Sequence, residues 1–172
     1  MANPSKLSHV VLQTNRLEKM RDWYCEVLGA HPVYDNGKLA FLAYDDEHHR
    51  VGLLSLDHYG ERDRPVVGLQ HFSFTYDTLG DLLENYVRLK AADVLPVWSV
   101  NHGPTISLYY ADPDGNHIEL QIDVFATNEE TDAFIKGPVY QANPRGEDVD
   151  PEDLLTRLRA GESFASLTTR KS

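Results

Sequence analysis

One cysteine, Cys25, stands in 172 residues, so no disulfide can form within the chain. That absence fits a reducing compartment. In its helical surroundings Cys25 reads as a small packing residue. Basic residues are scarce: 16 Lys and Arg against 27 Asp and Glu leave a net charge of -11. Surfaces that grip nucleic acid or anionic membranes need clustered positive charge, so neither partner is expected. No uninterrupted apolar run approaches the roughly 18–20 residues of a membrane span. The first ten residues show neither the apolar core nor the cleavage site of a signal peptide. A cytoplasmic protein is the expectation. The length suits one well-buried domain, or two small modules sharing a core.

What is present is a repeat. Residues 7–13 read as a strand, and Leu17, Met20, Trp23, Tyr24, Val27 and Leu28 then show the spacing of an amphipathic helix stopped by Gly29. Three strand-like runs follow at residues 31–34, 39–44 and 50–56, with Asn36-Gly37 as a tight turn between the first two. The same order returns: a strand at 69–76, a helix at 79–89, and strands at 94–100, 105–110 and 117–122. Shifted by 62 positions, His9 falls on His71, Leu17 on Leu79, Met20 on Leu82 and Tyr24 on Tyr86. Self-similarity at a fixed shift points to two duplicated βαβββ units. Residues 62–67 read as their linker. Beyond Asp123 the composition turns polar, with short helices expected at 129–135 and 151–158 and a frayed end over 166–172.

Residues 101–121 carry the chemistry. Asp112-Pro113-Asp114-Gly115 is a turn between two strands, so the stretch reads as a hairpin. Glu119 sits between Ile118 and Leu120, where a carboxylate is costly unless a cation or hydrogen-bond donors neutralise it. Strand alternation puts His71 on a face with Ser73 and Thr75, opposite Phe72, Phe74 and Tyr76, which should pack on a helix. Duplicated first strands would lie near one another, letting His9, His71 and Glu119 converge. Two imidazoles and a carboxylate on one face of a metal make the set of non-haem Fe(II) oxygenases. The plainer alternative is two separately satisfied strand histidines and a paired carboxylate.

The duplicated βαβββ pattern with His9, His71 and Glu119 resembles the vicinal oxygen chelate superfamily, and within it the type I extradiol ring-cleavage dioxygenases. Their signature is a histidine, an apolar residue plus tyrosine, Asp-Pro-x-Gly, then a glutamate. His102, Leu108-Tyr109, Asp112-Pro113-Asp114-Gly115 and Glu119 match each element. The turn and glutamate alone are common to the superfamily; His102 and Tyr109 make the match specific. The resemblance covers roughly residues 6–125.

It implies an α+β fold in which two modules, about 6–57 and 68–124, pair into a curved, partly open barrel around a metal site. Residues 1–125 would form that domain and 126–172 a C-terminal helical extension. It implies Fe(II), with Mn(II) as an acceptable substitute, held by His9, His71 and Glu119, and O2 as co-substrate. His102 and Tyr109 would contact the oxygens of a catechol-type diol. The acid/base role falls to His49 in the pair His48-His49, with His58 as the other candidate. His117 reads as a residue at the pocket mouth and Trp98 as a ring-packing position. A homo-oligomer is implied as well. The alternatives are another metal-dependent enzyme of the fold (a glyoxalase, isomerase or thiol transferase) or a non-catalytic binder of aromatic ligands. Glyoxalases take a further carboxylate ligand from the last strand of the first module, where this chain has Leu53-Leu54-Ser55-Leu56.

Overall fold

The computed structural model describes residues 2–56, 60 and 67–170. It contains two compact units, Met1–Gly68 with Asp112–Asn116, and Leu69–Ala111 with His117–Ser172.

The first unit runs β1 (Val10–Gln13), α1 (Leu17–Leu28), β2 (His31–Asp35), β3 (Leu39–Ala43) and β4 (Val51–Leu54). The sheet order is β1-β4-β3-β2. β1 lies parallel to β4, and the other pairs are antiparallel. Helix α1 buries Leu17, Met20, Tyr24 and Val27, one stripe at helical spacing, over Ala40, Leu42, Val51 and Leu53 of the sheet. Each such side chain removed from water contributes about 1.5–3 kcal/mol. At the β2–β3 turn the Asn36 carboxamide oxygen accepts from the amides of Lys38 and Leu39.

The second unit begins β5 (His71–Thr75), α2 (Leu79–Ala91), β6 (Trp98–Asn101), β7 (Thr105–Ala111) and β8 (His117–Asp123). It continues with α3 (Asn128–Lys136), α4 (Pro138–Ala142), β9 (Glu147–Asp148), α5 (Pro151–Arg159) and α6 (Phe164–Thr168). Its sheet order is β5-β8-β7-β6-β9, again with the first strand parallel to the fourth. Thr78 caps α2 by accepting from the Asp81 amide, and Thr127 and Glu130 form a reciprocal capping box on α3. Helix α5 is tied to α2 through Glu152, which accepts from the Tyr86 hydroxyl at 2.7 Å and pairs with Lys90 at 2.5 Å.

The fold is α+β, built from two open mixed sheets, neither of which closes into a barrel. Three differences from the expected elements have physical causes. β1 starts at Val10 rather than residue 7, because the Arg50 guanidinium takes the carbonyls of Leu7 and Ser8. His9 therefore precedes the strand. Residues 166–170 are not frayed: Leu167, Thr168 and Arg170 are buried, and Asn101 donates to the Thr168 carbonyl at 2.8 Å. β9 adds a fifth strand beside β6, pairing Val100 with Asp148 and Asn101 with Glu147.

Candidate active site

Sheet register builds one row of side chains in the second unit. Ser73 of β5 stands beside Glu119 of β8, Glu119 beside Tyr109 of β7, and Tyr109 beside Trp98 of β6. Because side chains alternate, these four share a face, and His71 joins them two residues before Ser73. The opposite face of β8 carries Ile118 and Leu120, both fully buried. Glu119 is only 5% exposed.

The contacts are close. His71 Nε2 lies 3.2 Å from Glu119 Oε2, and the Tyr109 hydroxyl donates to Glu119 Oε1 at 2.9 Å. His102, in the turn between β6 and β7, places Nε2 3.1 Å from the same hydroxyl and Nδ1 2.7 Å from the Arg145 carbonyl. The Tyr109 ring stacks on Trp98 at 4.9 Å between centroids. Burial, then the charge of Glu119, pushes the Tyr109 phenol well above its ordinary value, so it stays a donor. Burial holds His102 below its ordinary value, against the opposing effect of the Arg145 carbonyl. A neutral His102 that donates from Nδ1 presents a lone pair at Nε2.

His71 also contacts Gln70, whose carboxamide oxygen meets Nδ1. With Nδ1–H committed there, Nε2 faces the Glu119 carboxylate acceptor to acceptor. Such a pair calls for a proton or a cation between them. For a first-row dication with ligand bonds of about 2.0–2.2 Å, two ligands at right angles stand about 3 Å apart. The 3.2 Å separation fits that spacing. Gln70 then occupies the outer position that orients a ligating imidazole.

The first unit holds a second cluster. Ligand atoms of His9, His48 and His49 lie within 4.8 Å of one another. His49 is buried, with its ring stacked between Phe41 at 4.3 Å and His9 at 4.2 Å. Its Nδ1 is 2.6 Å from His48 Nδ1. Burial, then the neighbouring His9 and His48, holds His49 below its ordinary value. The Asp-Pro-Asp-Gly turn is structural. Asp112, 4% exposed, accepts from the amides of Asp114 and Asn116, the Asn116 carboxamide and the Tyr24 hydroxyl. The register of β7 on β8 sets Tyr109 opposite Glu119.

Residues 6–120 match the family model described as Glyoxalase/Bleomycin resistance protein/Dioxygenase superfamily. The chain belongs to that superfamily. Two biphenyl-2,3-diol 1,2-dioxygenases of Rhodococcus globerulus, numbered 2 and 3, are similar along almost all of it. The first is 48% identical over 98% of this chain and 90% of its own length. The second is 47% identical over 96% and 88%. A glyoxalase/bleomycin resistance protein/dioxygenase domain from Frankia sp. EAN1pec shares the fold, with a TM-score of 0.62 at 22% identity over 75% of this chain and 99% of that one.

Of the residues expected from sequence, the structure brings His71, Glu119, Tyr109 and His102 together in the second unit, and His9 with His49 in the first. His58 lies outside the described residues. His117 is the first residue of β8, and Trp98 packs on Tyr109 rather than standing apart. His48 is an exposed loop residue whose Nδ1 meets that of His49. Sequence reasoning missed Gln70 and Arg145. Gln70 sits beside the candidate ligand in sequence, a findable signal. Arg145 acts through its carbonyl, which no side-chain pattern announces.

Proposed function

We propose that this chain is an extradiol ring-cleavage dioxygenase acting on an aromatic vicinal diol. The reaction breaks the ring carbon–carbon bond beside the diol and keeps both atoms of O2 in the ring-opened product, with no external reductant. The observation that carries this reading is the cluster of His71, Glu119 and Tyr109 on one sheet face with His102 in the adjoining turn. The near full-length identity to biphenyl-diol dioxygenases supports the same substrate class, and Leu53 and Leu54 leave β4 without the carboxylate a glyoxalase would use.

In this reading His9, His71 and Glu119 hold a divalent metal, Fe(II) by preference, with Mn(II) compatible with the same donors. When bound, the metal supplies positive charge that favours the ionised diol and the redox capacity that couples O2 to the ring. The chain does the rest. The buried Glu119 carries the compensating negative charge. Tyr109, kept protonated, donates toward an oxygen of the diol. His102 offers its Nε2 lone pair beside Tyr109, able to accept a diol proton. His49, held neutral, is the acid/base that moves a proton during ring opening. Trp98 walls the face on which the ring would rest. The catalytic machinery is assigned to residues 1–125 and the helical extension to 126–172.

We assign the protein to the cytoplasm and to a homo-oligomer. None of the described helices is long and apolar enough to cross a membrane. Strand β2 is exposed along its whole length, Val33 and Tyr34 included, as an association surface would be before assembly. A monomer by light scattering would remove the oligomer. The catalytic test is anaerobic Fe(II) loading followed by oxygen uptake with a panel of catechols that includes 2,3-dihydroxybiphenyl. Uptake matched by a yellow product is expected. No uptake, with iron confirmed in the protein, overturns the proposal.

A further inference from the structure

The dioxygenase reading gives His102 its role but does not say what holds an imbalance-prone group, a histidine in a turn, in one orientation and one tautomer. The second unit supplies an answer from residues distant in sequence. The Arg145 carbonyl, a pure acceptor, meets His102 Nδ1 at 2.7 Å, so Nδ1 must donate. In a neutral ring that leaves an Nε2 lone pair 3.1 Å from the Tyr109 hydroxyl, whose single proton is shared between Nε2 and Glu119 Oε1, 2.9 Å away. A histidine whose far nitrogen is tied to a carbonyl has its tautomer and ring angle set by that bond.

The backbone that carries His102 is held from the same side. Arg170 forks across two carbonyls, donating to His102 O at 3.1 Å and to Asn143 O at 2.9 Å. It thereby ties the turn that bears Arg145 to the turn that bears His102. Asn143 closes its own loop by exchanging bonds with Gly146. Gly146 allows the contact: its φ is +96°, and a Cβ there would lie 2.4 Å from Asn101 O and 2.9 Å from the His102 Cα. Only glycine lets the two backbones approach so closely. Asn101, next to His102, is fixed by donating to Thr168 O and accepting from the Gly103 amide. The Arg145 guanidinium covers Trp98 at 4.7 Å.

We propose that Arg145, Gly146 and Arg170 form a positioning device for His102, in which the Arg145 carbonyl selects the Nδ1–H tautomer and the Arg170 fork and Gly146 contact hold that carbonyl in place. None of the three touches the reacting atoms. They act through His102, as the carboxylate of a catalytic triad acts through its histidine. The inference rests on the dioxygenase reading for its kinetic consequence, but its structural content stands apart from it.

The first test is long-range 1H–15N NMR of the full-length, unaltered chain, with His102 assigned by comparison with His102→Gln. The pattern of an Nδ1-protonated ring is expected. An Nε2-protonated ring, or an even mixture, overturns the proposal. Arg170→Ala and Gly146→Ala should both move His102 toward a mixture. Under saturating catechol, Arg170→Ala should lower kcat about tenfold while KM changes less than about twofold, since a misplaced group acts on the reacting geometry more than on binding. Arg170→Lys, which keeps a donor near one carbonyl, should recover part of the loss. An Arg170→Ala chain with unaltered tautomer and full kcat also overturns it. If the unaltered chain cleaves no catechol, the dioxygenase reading fails, and the NMR result still decides the positioning.

Discussion

Replacing Tyr109 with Phe removes one oxygen from the most connected point of the candidate site. The hydroxyl donates to Glu119 Oε1 at 2.9 Å and lies 3.1 Å from His102 Nε2, so Glu119 loses a donor and His102 loses its partner at Nε2. The ring remains, and with it the stacking on Trp98, so packing is nearly conserved. Losing a hydrogen bond to a buried charged acceptor costs about 1.5–3 kcal/mol. At roughly 2–4 °C per kcal/mol for a chain of this size, the metal-free variant should melt about 3–12 °C lower. Loading with a divalent metal should narrow that gap, because the cation then compensates Glu119. Removal of one aimed donor should lower kcat by about a hundredfold. Thermal melts of metal-free and loaded protein, with catechol turnover on the same samples, read all three. An unchanged melting temperature together with full kcat would refute the assigned contacts.

Asp112→Ala removes the acceptor shared by two backbone amides, the Asn116 carboxamide and the Tyr24 hydroxyl, and should cost about 3 kcal/mol in a urea melt; Asp112→Asn, which keeps an acceptor, should cost less. At high pH the α2–α5 joint should give way. Burial first, then Glu152, pushes Tyr86 up to about 12 from its ordinary 10.0. The folded state thus favours the protonated phenol, and its contribution is complete below pH 10.0 and lost as pH rises through about 12. Tyrosinate absorbance should show that late step, Tyr86→Phe should abolish it, and Glu152→Gln should bring it earlier while leaving it above the ordinary value. Gly103→Ala would put a Cβ 2.1 Å from Phe134 Cε1 at a φ of +98°. A loss of about 2–3 kcal/mol is expected, and adding Phe134→Ala should relieve the clash but not the backbone strain.

The repeat was legible because periodicity records packing: α1 spans Leu17–Leu28 as its apolar stripe requires, and β7 and β8 flank the turn at Asp112. Glu119 was legible as an anomaly, a carboxylate amid buried neighbours. Strand ends were less so. The spacing of Leu7 and His9 continues the alternation of β1, but Arg50, far along the chain, claims the carbonyls that a neighbouring strand would need. Helices α4 and α6 have five residues each, too few for a period to show. The support of His102 was invisible for a different reason. It comes from carbonyls and from a glycine that fits a gap, and neither leaves a mark in side-chain pattern.

The parallel pairing of β5 with β8 bears on assembly as well as geometry. His71 and Glu119 come from opposite ends of the module, and Ser73, the register partner of Glu119, is 46 residues from it. Parallel strands cannot be joined by a tight turn, so the helix and both intervening strands must be in place before the two donors meet. Closing that loop is entropically costly and comes late. The His71–Glu119 pair therefore works as the clasp of the module. Fraying at an end or in a surface loop cannot open it by degrees, and any ion that spans it is bound only by the closed chain. Metal release and unfolding of the second unit should accordingly be one event, with the ion's affinity drawn directly from the stability of the whole unit.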